Sequence, residues 1–116
     1  MMNRLIPKVF FNRMDEGLDL FVNCLGFKVL YQDETLAVVE RDSAKAYVVE
    51  SPEYAAKDRP EIAIETDAIE ALYDEISVKR PEMLHPNSNV VAKKPWGAKE
   101  FAVLDTSHVC IVFRQW

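Results

Sequence analysis

One apolar stripe occurs twice in this chain. Leu18, Phe21, Val22 and Leu25 stand at i, i+3, i+4 and i+7, the spacing of one helix face, and Ile69, Leu72, Tyr73 and Ile76 repeat it 51 residues further on. A displacement close to half of a 116-residue chain reads as an internal repeat, and a repeat restricts the fold more than any single motif does. The flanking segments repeat as well. Leu5 to Phe11 reads as a strand with Pro7 near its start, Asp15 and Glu16 place acidic residues at a helix N-terminus, and Gly26 stops that helix. Strands are expected over 28–31, 35–40 and 45–49, with Arg41 to Ala44 as a hairpin turn. Residues 51–60 hold two prolines and several charges and read as a linker. The pattern then restarts with a strand from Glu61 to Glu65, a cap at Thr66-Asp67, the second helix, a loop bracketed by Pro81 and Pro86, and a strand from Asn89 to Lys93. A final hairpin turns at Asp105-Thr106-Ser107-His108, with Ala102 and Leu104 before it and Val109, Ile111 and Phe113 after it.

The expected fold class is therefore α+β: one domain over 1–116 made of two βαβββ modules, about 4–50 and about 61–116. A ferredoxin-like sandwich also has two helices, but its repeats are βαβ and would leave strands unplaced. In a βαβββ unit a single helix covers one face of the sheet. The other face must be buried by a copy of the unit or by a ligand, so a cleft is expected.

Composition narrows the function classes. The apolar fraction of 49% and charged fraction of 28% are those of a soluble protein, and no apolar run approaches the roughly 18 residues of a membrane span. A cytoplasmic protein without membrane or nucleic-acid partners is expected. The net charge of −5 argues against direct binding to phosphate backbones and is compatible with a cationic small molecule. Cys24 and Cys110 each sit in an apolar pattern and read as buried thiols rather than a disulfide or a metal pair. No Ser/His/Asp or Cys/His set and no Gly-rich phosphate loop stands out among these residues.

Four segments carry a family resemblance: Ile6-Pro7 followed by Phe11, Leu25-Gly26-Phe27, Thr66-Asp67 leading to Leu72-Tyr73, and the run Pro95-Trp96-Gly97-Ala98-Lys99-Glu100-Phe101-Ala102-Val103-Leu104-Asp105. In this order they resemble the vicinal oxygen chelate superfamily, which contains glyoxalases, extradiol dioxygenases and bleomycin resistance proteins, and within it the bleomycin resistance proteins most. The resemblance implies that the two modules form a curved mixed-sheet cup. Metal-dependent relatives place one ligand on each of the first, fourth, fifth and eighth strands, and the matching positions here are Ile6, Glu50, Glu61 and Val112. Ile6 and Val112 have no donor atom, so neither metal nor other cofactor is expected, and neither His85 nor His108 falls at a ligand position.

What the resemblance implies is a metal-independent homodimer that sequesters a cationic or aromatic small molecule at the subunit interface without chemistry. Pro7 matches a position associated with exchange of the first strand between subunits. The candidate ligand contacts are Trp96 as a flat wall, Glu50 and Glu61 as carboxylates, and Tyr47 and Phe101 as aromatics able to reach the cleft; no catalytic residue is assigned. Glu50 and Glu61 also read as solvated strand-end carboxylates, or as a facing acid and base pair. The competing function is a glyoxalase-like lyase, isomerase or dioxygenase with a degenerate metal site.

Overall fold

The computed structural model describes residues 1–57 and 61–116. The chain divides into two compact units, 1–58 and 59–116. In the first unit, β1 (Lys8–Phe11) leads to a helix, α1, that begins at Met14–Leu18 and continues in wider π turns over Asp19–Cys24; β2 (Lys28–Gln32), β3 (Leu36–Arg41) and β4 (Ala44–Glu50) follow. These strands form a sheet of order β1-β4-β3-β2, in which β1 runs parallel to β4 and the other pairs are antiparallel. The segment expected to be a linker contains a further short helix, α2 (Pro52–Lys57); the rest of that expectation lies outside the described residues. In the second unit β5 (Glu61–Glu65) and α3 (Ile69–Lys79) precede a 3₁₀ turn at Pro81–Met83, then β6 (Ala92–Lys93), β7 (Lys99–Leu104) and β8 (Cys110–Gln115). Their order, β5-β8-β7-β6, with β5 parallel to β8, repeats that of the first sheet.

The repeat is real, but its two helices are displaced by 55 residues rather than 51. The buried positions of α1 and α3 correspond as Met14 with Ile69 and Phe21 with Ile76. The capped helix N–H groups show the same offset. The Met14 backbone N–H donates to Glu50 Oε2 at 2.8 Å, and the Ile69 N–H donates to Gln115 Oε1 at 2.9 Å. In each unit a side chain at the end of the last strand satisfies one of the donors that a helix N-terminus leaves unpaired. The first stripe thus begins one turn before Leu18. Gly17 hides that turn from a reading of apolar side chains. A Cβ added there would lie 2.8 Å from Phe11 Cδ2 and closer still to Val48, so the missing side chain is what lets α1 sit down on β1 and β4.

The turns follow from local chemistry. At the end of α1 the Phe27 N–H bonds to Phe21 C=O and the Gly26 N–H to Val22 C=O, with Gly26 at φ +74° and the Phe21 and Phe27 rings 5.3 Å apart. This is a Schellman ending with its apolar clasp. The two hairpins of the second unit share one turn. Gly97 N–H bonds to Lys94 C=O and Lys94 N–H to Ala98 C=O; His108 N–H bonds to Asp105 C=O and Asp105 N–H to Val109 C=O. Gly97 (φ +101°) and His108 (φ +65°) occupy the same left-handed position, where the histidine carries a steric cost that glycine does not. Asp105 Oδ1 offsets it by accepting the N–H groups of Ser107 and Val109. The 84–88 segment covers the edge of β7, with His85 N–H bonded to Ala102 C=O and Ala102 N–H to Ser88 C=O.

Each unit has its own core. Val9, Phe11, Ala37, Val39, Ala46 and Val48 line the helix side of the first sheet against Leu20, Phe21, Cys24 and Leu25. In the second, Phe101 stacks on Phe113 at 5.0 Å and meets Tyr73 of α3 edge-on at 5.3 Å, over buried Ile69, Ile76, Val103 and Ile111.

Two substitutions test this packing. Gly17→Ala is expected to destabilise the protein by up to about 2 kcal/mol, because overpacking of about 1–3 kcal/mol outweighs a helix-propensity gain of about 1 kcal/mol. A fall in the urea midpoint at unchanged slope would register it. Glu50→Ala and Gln115→Ala should each cost about 1 kcal/mol by the same measurement, whereas Glu50→Gln, which keeps an acceptor, should cost less.

Candidate functional site

Strand alternation gives each sheet one face that its own helix leaves uncovered. On the second sheet the cross-strand register sets the residues of this face in rows. Ala92, Glu100, Arg114 and Glu65 form one row, Ala102, Val112 and Ala63 the next, and Leu104, Cys110 and Glu61 the third. On the first sheet the corresponding face carries Lys8, Phe10, Tyr47, Val49, Leu36, Val38 and Tyr31. Tyr54 of α2 packs beside Phe10 with ring centroids 5.1 Å apart, and the Lys57 ammonium lies 5.6 Å from the Tyr54 centroid. The first face thus carries aromatic and aliphatic residues together with a charged row of Lys28, Glu40 and Lys45. The second carries carboxylates and a guanidinium.

Trp96 stands in the turn between β6 and β7, after Pro95 at the position where proline favours a turn and before the left-handed Gly97. The turn lifts the indole out of the core, and it is 57% exposed. Its orientation is fixed by Glu100. Glu100 Oε2 accepts the Trp96 Nε1–H at 2.8 Å and the Arg114 Nε–H at 2.7 Å, while the glutamate itself is buried. Burial pushes the Glu100 carboxyl pKa up, but the bonds from Arg114 and Trp96, with the charges of Arg114 and Lys94, outweigh it and hold the group below its ordinary value. Charged Glu100 is therefore the hub of this end of the sheet. On the same row Glu65 Oε2 accepts the Trp116 Nε1–H at 2.6 Å.

The residues singled out from sequence fall into distinct places. Glu61 is exposed on the uncovered face of the second sheet and has no hydrogen-bond partner among the described residues; its charge, after burial, helps raise the Cys110 thiol pKa. Tyr47 is half-buried on the uncovered face of the first sheet, opposite Lys8 and Val38. Glu50 stands opposite Phe11, on the helix side, with one carboxylate oxygen committed to the Met14 N–H. The structure therefore places Glu50 and Glu61 on different kinds of face within their units. Phe101 is fully buried between Phe113 and Tyr73, because its strand parity turns it toward α3. Pro7 precedes β1, which pairs with β4 of its own chain, the Pro7 C=O accepting the Tyr47 N–H.

The four positions matching a metal site do not fit a metal. Ile6 and Val112 offer no donor and Glu50 caps a helix. Among the described residues no group of three or more His, Cys, Asp or Glu side chains could hold an ion. No described helix is long and apolar enough to cross a membrane. Sequence reading missed Glu100, Arg114 and Glu65 as a set. The signal available was their charge at alternating positions of otherwise apolar strands; what joins them is register, which a single sequence does not print.

No family's sequence profile matches the chain, and no curated protein matches it in sequence. Solved structures do. A bleomycin-binding protein complexed with bleomycin superposes with a TM-score of 0.84 at 13% identity, covering 99% of both chains. The bleomycin-binding protein of bleomycin-producing Streptomyces verticillus, complexed with copper(II)-bleomycin, gives 0.77 at 22% identity over 97% of both chains. A glyoxalase/bleomycin resistance protein from Catenulispora acidiphila gives 0.76 at 21% identity, covering 97% of this chain and 96% of that one. With its two four-stranded mixed sheets and their repeated order, the chain has the fold of these bleomycin-binding and glyoxalase/bleomycin resistance proteins.

Proposed function

We propose that the protein is a metal-independent small-molecule binder that sequesters a cationic or aromatic ligand at a homodimer interface and carries out no chemistry on it. The observation that supports this most is Trp96, an exposed indole held in one orientation by a buried, charged glutamate on a sheet face that no helix of its unit covers. Exposing a tryptophan forgoes burial that would stabilise by more than a leucine's 1.5–3 kcal/mol or so, and fixing it in place suits a ring surface kept ready for a planar partner.

Glu61, with no protein partner among the described residues, is available to meet positive charge, and Tyr47 offers a ring edge and hydroxyl on the uncovered face of the first sheet. Glu50 and Phe101 enter the proposal as supports, through the α1 cap and the core contact to Tyr73. Homodimer formation would bury the uncovered faces. Exchange of the strand after Pro7 is the proposed means, and the chain before it exposes Met1, Met2 and Leu5 almost completely. The named ligand of two structural relatives, bleomycin, is the first probe.

Metal-free bleomycin titrated into chelator-treated protein should quench or shift tryptophan fluorescence and saturate near one equivalent per chain, with heat in calorimetry. Light scattering should give twice the 13.3 kDa chain mass. Absence of both signal and heat would remove bleomycin as the ligand, and a monomer at micromolar concentration would remove the interface.

A further inference from the structure

The uncovered face of the first sheet sorts its residues along the strands. Lys28, Glu40 and Lys45 form the row at one end, Tyr31, Val38, Tyr47 and Lys8 the next, and Leu36, Val49 and Phe10 the third. The arm before β1 adds Arg4, whose Nη1–H donates to Glu40 Oε2 at 2.9 Å. In a chain of net charge −5, four cations here stand against one carboxylate on the face. Glu40 cannot match them all. Its Oε2 already holds Arg4, the Lys45 ammonium stays 3.9 Å away, and neither Lys8 nor Lys28 has an ion-pair partner among the described residues. The half-buried Tyr47 likewise has no hydrogen-bond partner for its hydroxyl among the described residues. Charges at the rim leave the excess in place. Arg41 and Asp42, side by side at the β3–β4 turn, offset one another, and Arg41 donates to the Leu25 C=O. Asp33 and Glu34 lie at the opposite end of β3, where Asp33 accepts the Tyr31 hydroxyl and the N–H groups of Thr35 and Leu36. Glu53 and Lys57 of α2 pair with each other.

We propose that this face holds an amphiphilic anion, a small molecule whose carboxylate or phosphate is bound by Lys8, Lys28, Lys45 and the Tyr47 hydroxyl, and whose planar apolar part lies over the third row. The proposal rests on the reading of the protein as a small-molecule binder and adds an acidic group to the ligand. Cations gathered on one face repel one another, and an anion placed among them relieves that repulsion. The spacing permits it. Lys28 and Lys45 stand two strands apart, about 10 Å between backbones, and each ammonium rides on a flexible four-carbon stem with three donors. Glu40 separates them and fixes the arm through Arg4, so the unmatched charge falls on the three lysines. Next to the charge lies apolar surface. Leu36, Val49 and Phe10 are only half-buried, and Tyr54 of α2 extends the strip by packing beside Phe10 at 5.1 Å. A free inorganic ion would use the lysines alone, whereas a molecule with an acidic head and a ring system uses both parts of the face.

The test uses naphthalenes that differ in one substituent: 2-naphthoate, 2-naphthyl phosphate, neutral 2-naphthamide and cationic 2-naphthylmethylammonium. Each is titrated by calorimetry into the unaltered protein and into Lys8→Gln, Lys28→Gln and Lys45→Gln, with Lys79→Gln, on the exposed side of α3, as a control for net charge. The expected result is that the two anions bind, the amide binds more weakly and the ammonium most weakly. Each of the three face variants should lower anion affinity by about fivefold and leave the amide unchanged, and added salt should weaken the anions alone. Lys79→Gln should change nothing. The tighter of naphthoate and naphthyl phosphate identifies the head group, and inorganic phosphate binding more weakly than naphthyl phosphate supports the apolar part. Far-ultraviolet circular dichroism and the urea midpoint confirm that the variants fold. Ammonium binding as tight as naphthoate, anion affinity unchanged in all three face variants, or an equal loss in Lys79→Gln would overturn the subsite. Bleomycin separates this proposal from the broader one. If bleomycin binds and the anions do not, the subsite falls and the broader reading stands; if the anions bind through the lysines and bleomycin does not, the subsite stands and bleomycin falls as the ligand. If no probe binds, both are overturned.

Discussion

One helix per sheet is the constraint on which this structure turns. A four-stranded sheet has two faces, and α1 or α3 can bury only one of them. In both units the covered face is buried, and in both the packing depends on a close seat for the helix. Gly17 supplies it in the first unit by having no side chain; in the second the helix brings the Tyr73 ring edge-on to Phe101. Once the helix is seated, the parity of every strand residue is fixed, and with it the content of the uncovered face. Residues such as Glu100 and Arg114 reach that face because Phe101 and Phe113, their neighbours in sequence, must face the core.

The second consequence concerns helix ends. Each helix N-terminus is met by a side chain from the last strand of its unit, Glu50 for α1 and Gln115 for α3. These contacts join residues 36 and 46 positions apart and lock helix to sheet at the same place in both repeats. A glutamate in the first unit and a glutamine in the second do the same work, since either offers an oxygen to a backbone N–H; the carboxylate adds a favourable interaction with the helix dipole. The strand-end carboxylate that looks from sequence like a candidate for chemistry is here part of the scaffold.

How much could be read beforehand follows from which interactions are local. Strand order, the two longer helices, the Gly26 stop and the turn at Asp105 to His108 are set by a few consecutive residues, and the sequence pattern carried them; the short α2, in the segment read as a linker, it did not. The register of the repeat was misjudged by one helical turn because the missing apolar residue is Gly17, whose role is to be small. Phe101 and Tyr47 could not be assigned to core or cleft from alternation alone, because a strand buried on one side and half-buried on the other shows apolar residues at both parities. The pairing of Trp96 with Glu100 spans four residues, but the Arg114 side of the same cluster lies on another strand, and the Trp116 to Glu65 bond spans 51 residues. Such contacts exist only once the sheet is assembled.

Glu100 shows why a charge is kept in a buried place on this face. Burial opposes its ionisation, and a buried ion pair by itself is weak grounds for stability. A leucine at this position would avoid the desolvation cost, but would release the Trp96 indole and leave the Arg114 guanidinium without its counter-charge. A glutamine oxygen could accept both bonds, since both donors reach the one Oε2, but would leave that positive charge unmatched. An ionised carboxylate accepts from both donors and also cancels the cation, so the identity of residue 100 is explained by what it orients and neutralises rather than by what it contributes to folding. The same reasoning extends to Glu65 and Trp116, where the partners are exposed and the stability gained is small.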